Sequence, residues 1–235
     1  MLSAVIKVDF LKNIYRKARS FFETSVSDTF LNECIWKFRD IYKGKKWIKE
    51  YYNTINHPHR KQIVSAISSF GNINSVLEIG CNSGPNMFLL AQKIKNLQIY
   101  GIDINKRAIA YGKKMAHLER INNLYFFYGK AYDLSIFSSN TIDIVLCDAV
   151  LMFVGPKKIG QALSEMRRVT RRGLVFNEYH SENPPEGNYL DGRWIYNYKE
   201  LLDKYFPHAK ISFERSAFSG GEWDIYGTLI IVRFS

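Results

Sequence analysis

The sequence predicts an α/β protein: a mostly parallel sheet flanked by helices, preceded by a helical N-terminal extension. Three observations carry this. Short apolar runs alternate with segments of helical period from Ser75 to Tyr179. Gly80 and Gly84 interrupt the join of the first run to its helix. An acid, Asp103, closes the second run, 19 residues after Gly84.

The stretch from Ser75 to Asn105 organises the rest. Val76, Leu77 and Ile79 read as a short buried strand. Pro85 suits the first turn of a helix, where its missing N–H costs nothing. That helix continues through Met87, Phe88, Leu90, Ala91 and Ile94 to a strand from Leu97 to Ile102 that ends on Asp103. A strand, glycine loop, helix, strand and acid in this order make a site for a nucleoside-bearing cofactor. An ionised carboxylate at the second strand end accepts from both hydroxyls of a ribose.

Further along, Asn105 is placed to cap a helix running from about Lys106 to Glu119. Leu124–Tyr128 is a third strand and Ile142–Leu146 a fourth, ending at Cys147-Asp148. Gly155-Pro156 opens a helix with Ile159, Leu163, Met166 and Val169 in register. Arg171-Arg172-Gly173 reads as the turn that closes it, before a fifth strand from Leu174 to Tyr179. A helix near Tyr198–Phe206 and strands at Lys210–Arg215 and Tyr226–Phe234 complete the chain.

The spacing Glu78-x-Gly80-x-x-x-Gly84 lacks the third glycine of a dinucleotide fingerprint. With Asp103 it resembles the first motif of the Rossmann-like (class I) S-adenosylmethionine (SAM) methyltransferases of small-molecule type. The resemblance covers about residues 60–235 and implies a seven-stranded sheet finished by an antiparallel pair. It implies SAM as cofactor, with Glu78, Gly80, Cys81, Asn82, Gly84 and Asn86 around its methionine part. It places Asp103 and Ile104 at the ribose and Asp148 beside the reacting methyl. Gly129-Lys130-Ala131-Tyr132 stands where the resembling enzymes have Gly-Asp-Ala, whose acid meets the adenine amino group. Lys130 departs from that pattern, leaving the backbone near Ala131 and Tyr132 to read the adenine edge, with Asp133 either replacing the acid or only shaping the turn. Glu165, Arg168, Val169 and Gly173 match part of a Glu-x-x-Arg-Val-x-x-x-Gly-Gly segment of the same enzymes. Asn56-His57-Pro58-His59-Arg60 is similar, with one inserted residue, to a segment of the ubiquinone-biosynthesis O-methyltransferases in which the arginine meets the SAM carboxylate. Arg60 is either that partner or a surface helix residue; His57 and His59 read as surface residues of a helix start.

For catalysis the residues offer His180 as a general base with Glu178 beside it, since period-two geometry puts both on one side of a strand end. A structural role for the pair is the alternative. Asp148-Ala149-Val150-Leu151 lacks the Asn/Asp-Pro-Pro-aromatic signature of amino methyltransferases; Asn183-Pro184-Pro185-Glu186 follows the fifth strand and reads as a loop. No Pro-Cys exists, so cytosine-C5 chemistry is excluded. With the small-molecule resemblance, the acceptor class expected is a small molecule, lipid or glycan precursor. RNA methylation and a catalytically silent SAM-binding partner stand as alternatives.

Three cysteines, Cys34, Cys81 and Cys147, show neither metal-ligand spacing nor a pairing pattern, as in a reduced cytoplasmic chain with no metal. Apolar content of 46% and charged content of 23% are ordinary for a globular domain. The net charge of +11 is uneven: residues 1–61 hold 13 Lys+Arg against 6 Asp+Glu, the remainder 20 against 16. Residues 4–22 read as a basic amphipathic helix, packed on the core or lying peripherally on a membrane. Residues 26–56 are aromatic, with Trp36, Trp47, Tyr51 and Tyr52. The division expected is a helical extension or lid over 1–56 and a methyltransferase domain over 57–235.

Overall fold

The structure is a computed structural model that describes residues 28–44, 46–185, 189–190 and 192–234. The amphipathic stretch 4–22 lies outside the described residues.

The sheet has the strands β1 (Ser75–Ile79), β2 (Gln98–Asp103), β3 (Leu124–Tyr128), β4 (Ile142–Asp148), β5 (Thr170–Tyr179), β8 (Lys210–Arg215) and β9 (Gly227–Arg233). A two-stranded hairpin, β6 (Tyr189–Leu190) and β7 (Arg193–Trp194), stands apart. The sheet order is β3-β2-β1-β4-β5-β9-β8. The first five strands in that order are parallel, and β9 is antiparallel to both its neighbours. The order reverses between β1 and β4, where open α/β sheets bind their ligands.

Helices α4 (Pro58–Ser68), α5 (Pro85–Lys93) and α6 (Lys106–Leu118) cover one face of the sheet. Helices α7 (Pro156–Val169) and α8 (Tyr198–Tyr205) cover the other. Strand periodicity divides the core between them. Val76 packs with Ile63, Ile67 and Phe88 on the first face; Leu77 and Ile79 pack with Leu163 and Met166 on the second. Burying both faces explains why β1 and β4 are apolar without alternation.

The arm before α4 forms helices α1 (Asp28–Lys37), α2 (Arg39–Lys43) and α3 (Lys46–Tyr52) and a 3-10 turn over Asn53–Asn56. Tyr52 meets the edge of Phe88 at 5.0 Å and donates to Glu119, fastening α3 to α5 and α6. The Asn105 side chain caps α6, accepting from the N–H groups of Arg107 and Ala108 at 3.1 and 3.0 Å. Its amide also donates to the Trp36 carbonyl at 3.0 Å, tying α1 to the sheet.

One boundary differs from the sequence reading. β5 begins at Thr170, so Arg171 and Arg172 lie in the strand and not in a turn. A register shift between Ile142 and Ile144 admits these extra residues beside β4. Arg171 is held there by Asp143, Nη2 to Oδ1 at 2.7 Å.

Candidate functional site

Four successive strands deliver their carboxyl ends to one cavity. Gly80 and Asn82 follow β1, Asp103 and Ile104 end β2, Gly129–Tyr132 follow β3, and Asp148–Val150 end β4; all line it. The cavity holds about 710 Å³ of atom-free space, part of it open to solvent. Thr29, Asn32, Glu33 and Trp36 of α1 and Tyr51 of α3 line it from the arm side.

The glycine loop is shaped by backbone needs. Gly80 has φ +71°, and a Cβ there would lie 2.3 Å from Val150 Cγ2. The N–H groups of Gly80 and Cys81 both donate to the Ile102 carbonyl, at 2.7 and 3.1 Å, joining the loop to β2. Asp103 completes the join: Oδ2 accepts from the Asn82 N–H at 2.8 Å and Oδ1 from the Asn105 N–H at 2.7 Å. Each oxygen keeps a lone pair for a further donor, so this partly exposed carboxylate can take a vicinal diol. Burial pushes its pKa up to about 6, against the pull of those backbone donors.

Behind the loop lies a buried polar cluster centred on Asp148. Its Oδ2 accepts from His59 Nε2 at 3.1 Å, Arg60 Nη1 at 3.1 Å and Asn86 Nδ2 at 3.0 Å; Oδ1 accepts from Asn177 Nδ2 at 2.8 Å. Burial alone would raise this carboxyl, but His59, Arg60 and Asn177 outweigh it and hold it well below the usual carboxylate range. Asn86 also donates to Glu78 Oε1 at 2.7 Å, and Glu78 Oε2 is buried without a partner. Burial pushes the Glu78 pKa up to about 8.

Of the cofactor residues expected from the sequence, Gly80, Asn82, Asp103, Ile104, Ala131, Tyr132 and Asp148 line the cavity. Arg60, Glu78, Cys81, Gly84 and Asn86 stand behind it. Arg60 is not a surface residue: it is 2% exposed and bound to Asp148, to Asn86 Oδ1 at 2.9 Å and to both oxygens of Thr54. His59 is equally buried, with Nδ1 2.5 Å from Nδ1 of the half-buried His57.

The pair Glu178 and His180 does not reach the cavity. The Glu178 carboxylate accepts from the N–H groups of Val150, Leu151 and Met152 at 2.7–3.1 Å. It thereby shapes the 3-10 turn Leu151–Phe153 that follows β4. His180 lies beyond the strand end, its ring stacked on Phe213 at 4.8 Å. Its Nδ1 lies 3.1 Å from the Tyr198 N and 3.2 Å from the Tyr196 carbonyl oxygen, so the ring is engaged with the backbone at the start of α8. The two side chains share a strand side by period but serve different neighbours.

The arm supplies what spacing did not reveal. Lys130, standing where an acid was expected, donates to Glu33 Oε2 at 2.8 Å and to Tyr132 Oη at 3.0 Å; Tyr132 donates to Glu33 Oε1. The Gly155 N–H donates to Thr29 Oγ1 at 2.8 Å, and Asn32 Nδ2 to the Phe153 carbonyl at 3.2 Å. Trp36 meets the edge of Phe153 at 5.0 Å. The aromatic content of residues 26–56 was the available signal; nothing in the spacing singled out Glu33. Glu165 and Arg168 brace the segment after β3 from α7: Glu165 accepts from the Leu134 N–H, and Arg168 donates to the carbonyls of Leu134 and Phe137.

The cavity fits SAM on two observations: the Asp103 lone pairs at a strand end, and the Gly80–Asn82 loop that lines the cavity beside them. Residues 76–173 match the methyltransferase domain family. Solved structures share the fold. Magnesium protoporphyrin IX methyltransferase from Synechocystis PCC 6803, with bound SAM, aligns at TM-score 0.66 and 15% identity over 90% of this chain and 99% of its own. The plantazolicin methyltransferase in complex with a triazolic desmethylPZN analog and S-adenosylhomocysteine (SAH) aligns at 0.63 and 15%, over 91% and 100%. Geranyl diphosphate C-methyltransferase from Streptomyces coelicolor A3(2) aligns at 0.59 and 13%, over 74% and 76%. No curated protein sequence matches the chain. In its methyltransferase-domain match over residues 76–173 and its seven-stranded sheet, the chain is similar to the Rossmann-like class I SAM-dependent methyltransferases.

Proposed function

We propose that the chain transfers the methyl group of SAM to a small-molecule, lipid or glycan-precursor acceptor under cover of the arm. The observation that carries this is the cavity itself. Asp103 and the glycine loop line it beside an apolar wall of Val150, Phe153, Val154, Trp36 and Tyr51, which we assign to the acceptor. An apolar, aromatic wall is suited to the body of a small organic acceptor and not to a phosphate backbone. The plantazolicin and geranyl diphosphate enzymes act on such acceptors.

SAM, when bound, supplies an electrophilic methyl group, so the protein need not provide a nucleophile. What the chain contributes is position and dryness. Glu178 fixes the Val150–Met152 turn at the acceptor end through three backbone N–H groups. The arm seals that end through Thr29, Asn32 and Trp36. Among the described lining residues there, Asp148 has all its contacts inside the polar cluster, and burial pushes Tyr51 up to about 12. Neither is a base poised near neutral pH, so transfer rests on orienting the acceptor and excluding water.

The test is transfer of radiolabelled methyl from SAM into a fractionated cell extract. Label in the organic-soluble or small polar fraction supports the reading. Label confined to nuclease-sensitive material would turn it toward RNA, and no transfer to any fraction would favour a silent binder.

A further inference from the structure

The nucleoside end of the cavity contains a problem of sign. β3 is the outer neighbour of β2, and Asp103 pairs with Tyr128. With a ribose on Asp103 and the amino-acid part at the glycine loop toward β1, the attached base extends toward the turn after β3. An adenine edge offers an exocyclic amine as donor and ring nitrogens as acceptors. The turn offers Lys130, an ammonium with three donors and no acceptor. Alone it would repel the amine.

Glu33 reverses that sign. Its side chain comes from α1, lines the cavity and is 18% exposed. Lys130 occupies one carboxylate oxygen and Tyr132 the other, and each oxygen keeps lone-pair capacity. Among the described lining residues at this end, Glu33 is the one carboxylate besides Asp103. The ammonium and the phenol hold it in place, and the Glu33 contact raises the Lys130 pKa. α1 is also tied to the core at Gly155, Phe153 and Asn105, so Glu33 reaches this position only with the arm docked.

We infer that Glu33, carried on the arm and held by Lys130 and Tyr132, accepts a hydrogen bond from the adenine amino group of the cofactor, so that base recognition and arm docking are one event. This rests on the SAM reading of the cavity. It makes the arm part of the cofactor site as well as a cover for the acceptor.

The test is calorimetric titration of the full chain with two ligands. One is SAH; the other is the SAH analogue with hydrogen in place of the 6-amino group. The wild type is expected to prefer SAH by about ten- to hundredfold, the range of a hydrogen bond to a charged acceptor. Glu33→Ala should reduce that preference to less than about threefold, chiefly by weakening SAH. Lys130→Met removes the tether and keeps the carboxylate, and it should keep the preference. Unfolding midpoints show that each variant is folded. If Glu33→Ala weakens both ligands equally, Glu33 is a tether only and the inference is overturned. A wild type that binds both ligands alike overturns it while leaving the cofactor reading intact. A wild type that binds neither overturns both.

Discussion

Gly80 is where backbone conformation, packing and the cavity meet, and Gly80→Ala tests all three. The residue sits at φ +71°, a left-handed conformation that costs a residue with a Cβ roughly 1–2 kcal/mol. The new Cβ would also lie 2.3 Å from Val150 Cγ2 and 3.0 Å from Cγ1, well inside contact distance. Overpacking of this kind costs about 1–3 kcal/mol. The sum is about 2–5 kcal/mol, or roughly 5–15 °C in Tm for a chain of this size. Gly71 is the control: φ is +74° and nothing lies within 4 Å of its Cβ position, so Gly71→Ala should show the backbone cost alone. Val150→Ala made in the Gly80→Ala background should recover the overlap part, about 1–3 kcal/mol in a double-mutant cycle. Urea unfolding measures the stability and SAH calorimetry the cavity, which Gly80→Ala should also impair by displacing Val150. If Gly80→Ala is no worse than Gly71→Ala, or Val150→Ala recovers nothing, the described packing of loop against turn is wrong.

Other consequences follow from the same geometry. Asp103→Ala should weaken SAH binding by roughly 1.5–3 kcal/mol, the range for hydrogen bonds to a charged group. In the wild type, affinity should fall as pH drops below about 6, where Asp103 takes up a proton, and Asp103→Asn should flatten that dependence; calorimetry at several pH values reads both. Arg60→Met strips a donor from the buried Asp148 and should cost about 3–5 kcal/mol of stability by chemical unfolding, with Arg60→Lys recovering only part. Glu78 and Glu178 are both raised from 4.5 to about 8 in the folded state. A raised folded pKa gives stability that is complete below the unfolded value and lost as pH rises through the folded one. Their contribution is therefore present near pH 4.5 and gone above about pH 8, and Glu78→Gln should flatten that decline in unfolding midpoints. Removal of residues 1–56 should abolish methyl transfer, measured with labelled SAM and an accepted substrate.

The parallel sheet was legible because its causes are local. Val76–Ile79, Leu124–Tyr128 and Ile142–Leu146 are apolar runs between breakers, and they form β1, β3 and β4 at nearly those limits. Asn105 announced its helix because a cap acts within three residues. Asp103 was legible from its place at a strand end. What failed to show was what depends on distant partners. Arg60 pairs with Asp148, 88 residues away, and Lys130 with Glu33, 97 away. Nothing near either residue distinguishes a buried, bonded cation from a solvated one. His180 and Glu178 mislead for the opposite reason: period two put them on one side, but the turn after β4 claims the carboxylate and α8 the imidazole. The start of β5 was hidden because Arg171 and Arg172 look like a basic helix end, and the Asp143 that pairs with Arg171 in the strand lies 28 residues away.

The measurement that bears most directly on the central claim is equilibrium binding to the full chain, SAH against NAD. Asp103 at the end of β2 and a loop with the spacing Gly80-x-x-x-Gly84, which is not that of the dinucleotide fingerprint, predict saturable binding of SAH at a single site, lost in large part in a folded Asp103→Ala, with NAD bound far more weakly. Tighter binding of NAD than of SAH by the wild type, or SAH affinity unchanged in Asp103→Ala, would contradict the account.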